Sequence, residues 1–140
     1  MPNRIAAAAF VALTVAVLSA CSARPQTAIS STASVTVDGH EANIQVVKCI
    51  QLEWNRTIDI GGDFSGATAV VDQSAHPLTA TSVHIQNLGG FTGMYTQGGG
   101  SSANVSLNGD TFTITGSANG FKTDKPGEPA AADFTIVATC

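Results

Sequence analysis

Ser102-Ala103-Asn104-Val105-Ser106-Leu107-Asn108-Gly109-Asp110-Thr111-Phe112-Thr113-Ile114-Thr115 reads as two alternating halves about a central Asn-Gly pair. Apolar and polar residues exchange places at nearly every step, which is the period of a strand rather than of a helix. With Asn108-Gly109 as a two-residue turn, Val105 meets Phe112 and Ala103 meets Ile114 on one face. The other face then pairs Ser106 with Thr111, Asn104 with Thr113 and Ser102 with Thr115. A slip of one residue would mix the two faces, so the pattern specifies an antiparallel hairpin with one side buried.

The same alternation extends outward in both directions. Val35 and Val37 precede Asp38-Gly39, and a turn there sets Val35 opposite Ala42 and Ala33 opposite Ile44. Further strands are expected at Ile44–Leu52, Arg56–Ile60, Thr68–Val71, Ser82–Gln86, Met94–Thr96 and Phe134–Thr139. They are separated by Gly61-Gly62-Asp63, His76-Pro77, Asn87-Leu88-Gly89-Gly90 and Gly98-Gly99-Gly100. Short strands at this spacing predict an all-β domain, a small antiparallel β-sandwich or rolled sheet. A short helical turn is allowed at Pro129–Asp133. The expected core is Val35, Ile44, Val46, Ile58, Ile60, Val70, Val83, Ile85, Val105, Phe112, Ile114, Phe134 and Ile136. Trp54 is expected as a core or rim aromatic rather than a ligand platform.

Ahead of this domain the chain changes character. Of its 140 residues, 44% are hydrophobic and only 11% charged, and a share of the apolar residues sits in a leader that a folded core would not use. Arg4 supplies a positive start, Ile5 to Leu18 form an apolar run broken only by Thr14, and Leu18-Ser19-Ala20-Cys21 closes it. The run is shorter than the roughly 20 residues needed to span a bilayer, so it reads as an export signal. Leu18-Ser19-Ala20-Cys21 resembles the bacterial lipobox, which implies cleavage between Ala20 and Cys21 and a diacylglyceryl thioether on the Cys21 sulfur. An ordinary secretory signal with Cys21 there by chance is the alternative. The expected organisation is a signal peptide at 1–20, the lipidated Cys21 with a Ser/Thr-rich tether at 21–34, and a β-domain at 35–140.

With Cys21 assigned to lipid, Cys49 and Cys140 remain in a chain that has left the reducing cytosol. An even remainder in a small exported domain favours one disulfide, with two free buried thiols as the alternative. Neither cysteine has a His or second Cys at short ligand spacing, so no metal site is expected.

Candidate catalytic residues are few. His40 follows a turn glycine, His76 precedes Pro77, and His84 alternates with Val83 and Ile85, all consistent with solvent-facing positions. Asp59 with Asp63, and Asp124 with Glu128, are the only carboxylate pairs worth naming, and both sit beside turns. Gly98-Gly99-Gly100-Ser101-Ser102 suggests an anion loop, but a strand rather than a helix is expected to follow it and no Lys is near. A net charge of −4 with six Lys and Arg disfavours nucleic acid. No catalytic residue, metal or cofactor is expected.

Several blocks in order are similar to the mycobacterial nineteen-kilodalton lipoprotein antigen family. They are Val35-Thr36-Val37-Asp38-Gly39, Val46-Val47-Lys48-Cys49, Gly93-Met94-Tyr95-Thr96-Gln97-Gly98, the run from Asn108 to Gly120, and Phe134-Thr135-Ile136-Val137-Ala138-Thr139-Cys140. The resemblance implies an exported protein, lipid-anchored in the cell membrane and facing the periplasm, cell wall or cell surface. It also implies an acylated Cys21 that engages a host lipopeptide receptor, and no enzymatic site. The expected function is therefore a surface antigen-like, non-enzymatic interaction module. The rival is a carrier that holds a lipid or glycolipid in an apolar cavity.

Overall fold

Alternating sequence becomes strand throughout the described part of the chain. The computed structural model describes residues 32–140, within which every regular element is a β-strand. In chain order these are β1 Ala33–Val37, β2 His40–Ile44, β3 Val47–Leu52, β4 Asn55–Gly61, β5 Gly66–Asp72, β6 Thr79–Leu88, β7 Phe91–Thr96, β8 Ala103–Asn108, β9 Thr111–Lys122 and β10 Lys125–Thr139. All pair antiparallel in one sheet of order β2-β1-β10-β9-β7-β6-β5-β4-β3, and β8 pairs with β9. β9 shares one edge between two partners: Thr111–Gly116 face β8 and Asn119–Lys122 face β7.

Chain connectivity makes this sheet roll. β2 and β3 lie at opposite ends of the strand order, yet only Gln45 and Val46 join them. The span from Ile44 to Val47 is at most about 10 Å of extended chain, so the two ends of the sheet must come together. The result is a nearly closed, barrel-like sheet whose inward side chains form one core. The Cys49–Cys140 disulfide, with Cα atoms 5.9 Å apart, ties β3 to the end of β10 across the same seam.

Inside, Val35 and Val37 of β1 face Ile136 and Phe134 of β10, which in turn face Ile114 and Gly116 of β9. Gly116 makes room for a ring: a Cβ there would lie 2.9 Å from Cζ of Phe134. On the other flank Ile58 and Ile60 of β4 face Ala69 and Ala67 of β5, which face Val83 and Ile85 of β6. Bulky and small residues thus alternate across strands and fill the interior from both sides.

The Asp38-Gly39 hairpin has the expected register, with Val35 opposite Ala42 and Ala33 opposite Ile44. Both turn residues take positive φ, 50° and 78°. The Asn108-Gly109 hairpin forms with the expected faces but its turn moves one residue on. Asn108 pairs with Thr111, so Gly109 and Asp110 are the turn and Val105 meets Ile114. Only Gly109, at φ 62°, is left-handed there, which is the demand of a turn with glycine first.

Four other expectations are corrected. Pro129–Asp133 is strand, not a helical turn: it pairs with β9 beyond the end of β1, so β10 has a free edge there that tolerates proline. The run Ile44–Leu52 is broken at Gln45-Val46, where the chain crosses the seam, and Val46 is 67% exposed. Val71 rather than Val70 is buried, because Ala67 and Ala69 set the inward phase of β5. Trp54 lies outside the core on the β3–β4 turn, 67% exposed. Val37, Leu88, Phe91 and Tyr95 join the core beyond those expected, while Ile44 and Val105 are partly buried against it.

Candidate functional site

The outward residues of β3 to β6 form a polar row across the sheet. Lys48 pairs with Asp59, Asp59 with Thr68, and Thr68 with His84. These residues alternate with the core residues Ile58, Ile60, Ala67, Ala69, Val83 and Ile85, so their outward direction follows from the burial of their neighbours. The Thr68 hydroxyl donates to Asp59 Oδ1 at 2.8 Å, which fixes that carboxylate against the sheet.

Above the row, residues 62–65 form the β4–β5 loop, which together with Gly61 is held from three sides. The Gly61 N–H donates to Val46 O at 2.8 Å, and the Ser65 hydroxyl donates to Asn87 O at 2.8 Å. Gln86 Nε2 donates to Asp63 O at 3.2 Å. The loop so pinned raises Phe64 into solvent, 87% exposed. A groove of about 470 Å³ runs beneath it, lined among others by Lys48, Asp59, Asp63, Thr68, His84 and Gln86. A second concavity of about 460 Å³ continues past His84 and Gln86 to Phe64, Thr92 and Phe121.

Two carboxylates, an ammonium group, an imidazole and a carboxamide can together hydrogen-bond a polar ligand or partner surface, with phenyl rings beside them for apolar contact. Acid–base relay is not favoured by the spacing. Asp59 and His84 stand two strands apart, roughly 10 Å between backbones, and Thr68 occupies the place between them.

Of the residues singled out from sequence, Asp59, Asp63 and His84 are brought to this one groove. The other histidines lie elsewhere: His40 beside the β1–β2 turn, its Nδ1 3.1 Å from Asp38 O, and His76 in the β5–β6 connection. Asp124 lines a separate concavity with Asp38, His40 and Lys122. Gly98-Gly99-Gly100-Ser101-Ser102 leads into strand β8. Alternation identified the groove residues as outward-facing. That they converge depends on strand order, which alternation does not carry. Cys49 and Cys140 are bonded to one another. Ala20 and Cys21 lie outside the described residues.

The profile of a family described as Mycobacterium 19 kDa lipoprotein antigen matches residues 26–140. The chain belongs to this family. A putative lipoprotein of Mycobacterium indicus pranii is 59% identical over the full length of both chains. A probable lipoprotein of Mycobacterium tuberculosis, LppE, is 36% identical, also over both full lengths. Lipoprotein LpqH of Mycobacterium bovis is 34% identical over 108 residues, 76% of this chain and 67% of its own. In this member of the 19 kDa lipoprotein antigen family, the matched region takes in all ten strands and both bonded cysteines.

Proposed function

We propose that the chain is an exported lipoprotein anchored in the cell membrane through acylated Cys21, and that its β-domain is a non-enzymatic interaction module. The observation that carries the reading is the lipobox-like Leu18-Ser19-Ala20-Cys21 at the head of a chain whose residues 26–140 match a lipoprotein antigen family. In this reading signal peptidase cuts after Ala20, and residues 21–34 tether a domain that faces the periplasm, cell wall or cell surface. The free lipopeptide end, carrying Cys21, is the part a host lipopeptide receptor engages.

Support for an interaction module over a lipid carrier comes from the interior. Phe91, Phe134, Ile58, Ile85, Ile114 and Ile136 are fully buried in it, and a carrier needs that space empty. The groove of Asp59, Asp63, His84 and Lys48 lies outside, where a partner reaches it. Support for a non-enzymatic role comes from the family, which is described as an antigen.

The test is fractionation of cells expressing the full chain and its Cys21→Ala variant. The parent is expected in the membrane fraction with a mass gain of its acyl chains, and the variant in the soluble exported fraction. Equal membrane recovery of both would overturn the anchor. Native mass spectrometry of the domain from a lipid-containing host separates module from carrier, since a retained lipid mass would favour the carrier.

A further inference from the structure

The β3–β4 turn presents apolar side chains to solvent with unusual firmness. Leu52 pairs with Asn55, so Glu53 and Trp54 form the turn. Glu53 sits at φ 53°, a left-handed conformation that a non-glycine residue adopts at a cost. The backbone is braced on both sides: Gln51 Nε2 donates to Glu53 O at 2.7 Å, and the Gln73 N–H donates to Trp54 O at 2.8 Å. Leu52 is 72% exposed, and Ile50 continues the strip along the outer face of β3. The chain's one indole thus stands at the tip of a stiff, strained hairpin with leucine and isoleucine behind it. Trp with aliphatic neighbours is the composition that settles at the boundary between headgroups and acyl chains.

Topology places this tip at the end of the barrel where the leader joins. β3 and β10 are separated by an even number of antiparallel steps, so they run in the same direction. β10 finishes at Cys140, bonded to Cys49 three residues before Leu52, and β1 begins beside that point, with Thr139 N–H donating to Thr32 O. Leu107, exposed near the end of β8, is directed to the same end. The opposite end carries the Asp38-Gly39 turn and Phe64. The eleven residues 22–32 separate Cys21 from Ala33 and reach at most about 40 Å. A domain held on so short a leash meets the surface at millimolar effective concentration, enough to populate a contact too weak to hold by itself.

We infer that the Ile50–Leu52–Trp54 hairpin is a second membrane contact, which seats its indole at the headgroup–acyl boundary of the bilayer that holds Cys21. The inference rests on the anchor reading given above. It turns the domain so that the end bearing the β3–β4 turn faces lipid, and the Asp63 and Phe64 end of the groove, at the other end of β4, points away from it. Among the described residues the charged side chains near this end are Glu53, Asp72 and Asp110 against Arg56, so the contact of the hairpin is apolar rather than electrostatic. It is insensitive to salt on zwitterionic lipid, and on anionic lipid it is weaker until salt screens the repulsion.

Because Trp54 is the sole tryptophan, it reports its own depth. The acylated mature chain, residues 21–140, is reconstituted in phosphatidylcholine vesicles, and flotation and indole emission are read with and without bromine on the acyl chains. The expected result is flotation with the vesicles, a blue-shifted emission, roughly halved intensity on brominated lipid and no change with added salt. Flotation with unquenched, red-edge emission would overturn the hairpin contact while leaving the anchor intact. Failure to float would sink the anchor and the inference with it. A Leu52→Ser variant, which keeps the indole and alters only an exposed side chain, is expected to float as before with quenching much reduced. Unchanged quenching in that variant counts against the apolar strip.

Discussion

The two flanks of the rolled sheet are built by opposite choices. On the β1–β10–β9 flank, Val35, Val37, Phe134, Ile136, Phe112 and Ile114 point inward, while Ser34, Thr36, Thr113, Thr115 and Thr135 lie between them on the outer face. On the β4–β5–β6 flank the central strand turns only Ala67, Ala69 and Val71 inward. Its outer face carries the charged row and the groove. One flank turns bulky residues inward from all three strands and presents a plain hydroxyl surface; the other sets the alanines of β5 between Ile58 and Ile60 of β4 and Val83 and Ile85 of β6 and presents the chemistry outside. The two are held together by shared burial and by one covalent link, Cys49–Cys140, across the seam.

Removing that link breaks the comparison most severely. The bridge closes a loop of 91 residues' separation, and in the chain-entropy model such a loop contributes about 4–5 kcal/mol. The Cys49→Ala/Cys140→Ala chain is expected to lose most of that in urea denaturation. A shift of less than about 1 kcal/mol would mean that burial alone joins the flanks.

Next in size is the bulk of the first flank. Phe134→Ala opens a hole over Gly116, with an expected loss of about 3–5 kcal/mol. The second flank should respond to the opposite change. Ala69 lies between Ile58 and Val83, fully buried, and Ala69→Leu is expected to cost about 1–3 kcal/mol through overpacking. Both are read from denaturant midpoints. If Ala69→Leu were neutral, the second flank would hold spare volume and the carrier reading would regain ground.

The same contrast explains what the sequence allowed to be read. The first flank was legible because its inward residues are bulky and its outward ones are Ser and Thr, so Val35, Phe112, Ile114, Phe134 and Ile136 declare their face. On the second flank Ile58, Ile60, Val83 and Ile85 declare their face equally, and only the central strand β5 hid its phase. In Ala67-Thr68-Ala69-Val70-Val71 the small alanines face in, and two adjacent valines of equal hydrophobicity do not by themselves declare which one is buried. The groove was out of reach for a different reason. Lys48 and His84 lie 36 positions apart in sequence with Asp59 between them, and the three meet only through the order of β3 to β6. The turn at Gly109 moved because a two-residue turn can place its glycine first or second, and both placements preserve the faces.

The smallest effect concerns acid. Asp72, at the end of β5, accepts the Ser74 hydroxyl at 2.6 Å and the Ser74 N–H at 2.8 Å on Oδ1. These bonds, the hydroxyl first, hold its carboxyl below its ordinary value of 3.8. A lowered carboxylate pKa stabilises the fold above the unfolded value, and the contribution is lost as pH falls through the folded one. Ser74→Ala removes the hydroxyl donor and leaves the N–H. The variant is expected to unfold at slightly lower urea than the parent at neutral pH. The two midpoints should converge as pH drops below 3.8 toward the lowered value. Because the Asp72 carboxylate keeps its access to solvent the gap will be small, so it is best read as a difference between paired curves. A gap that persists unchanged into acid would assign the Ser74 hydroxyl to packing rather than to the carboxylate. The β5–β6 connection, which also braces Trp54 through Gln73, would then be held without help from charge.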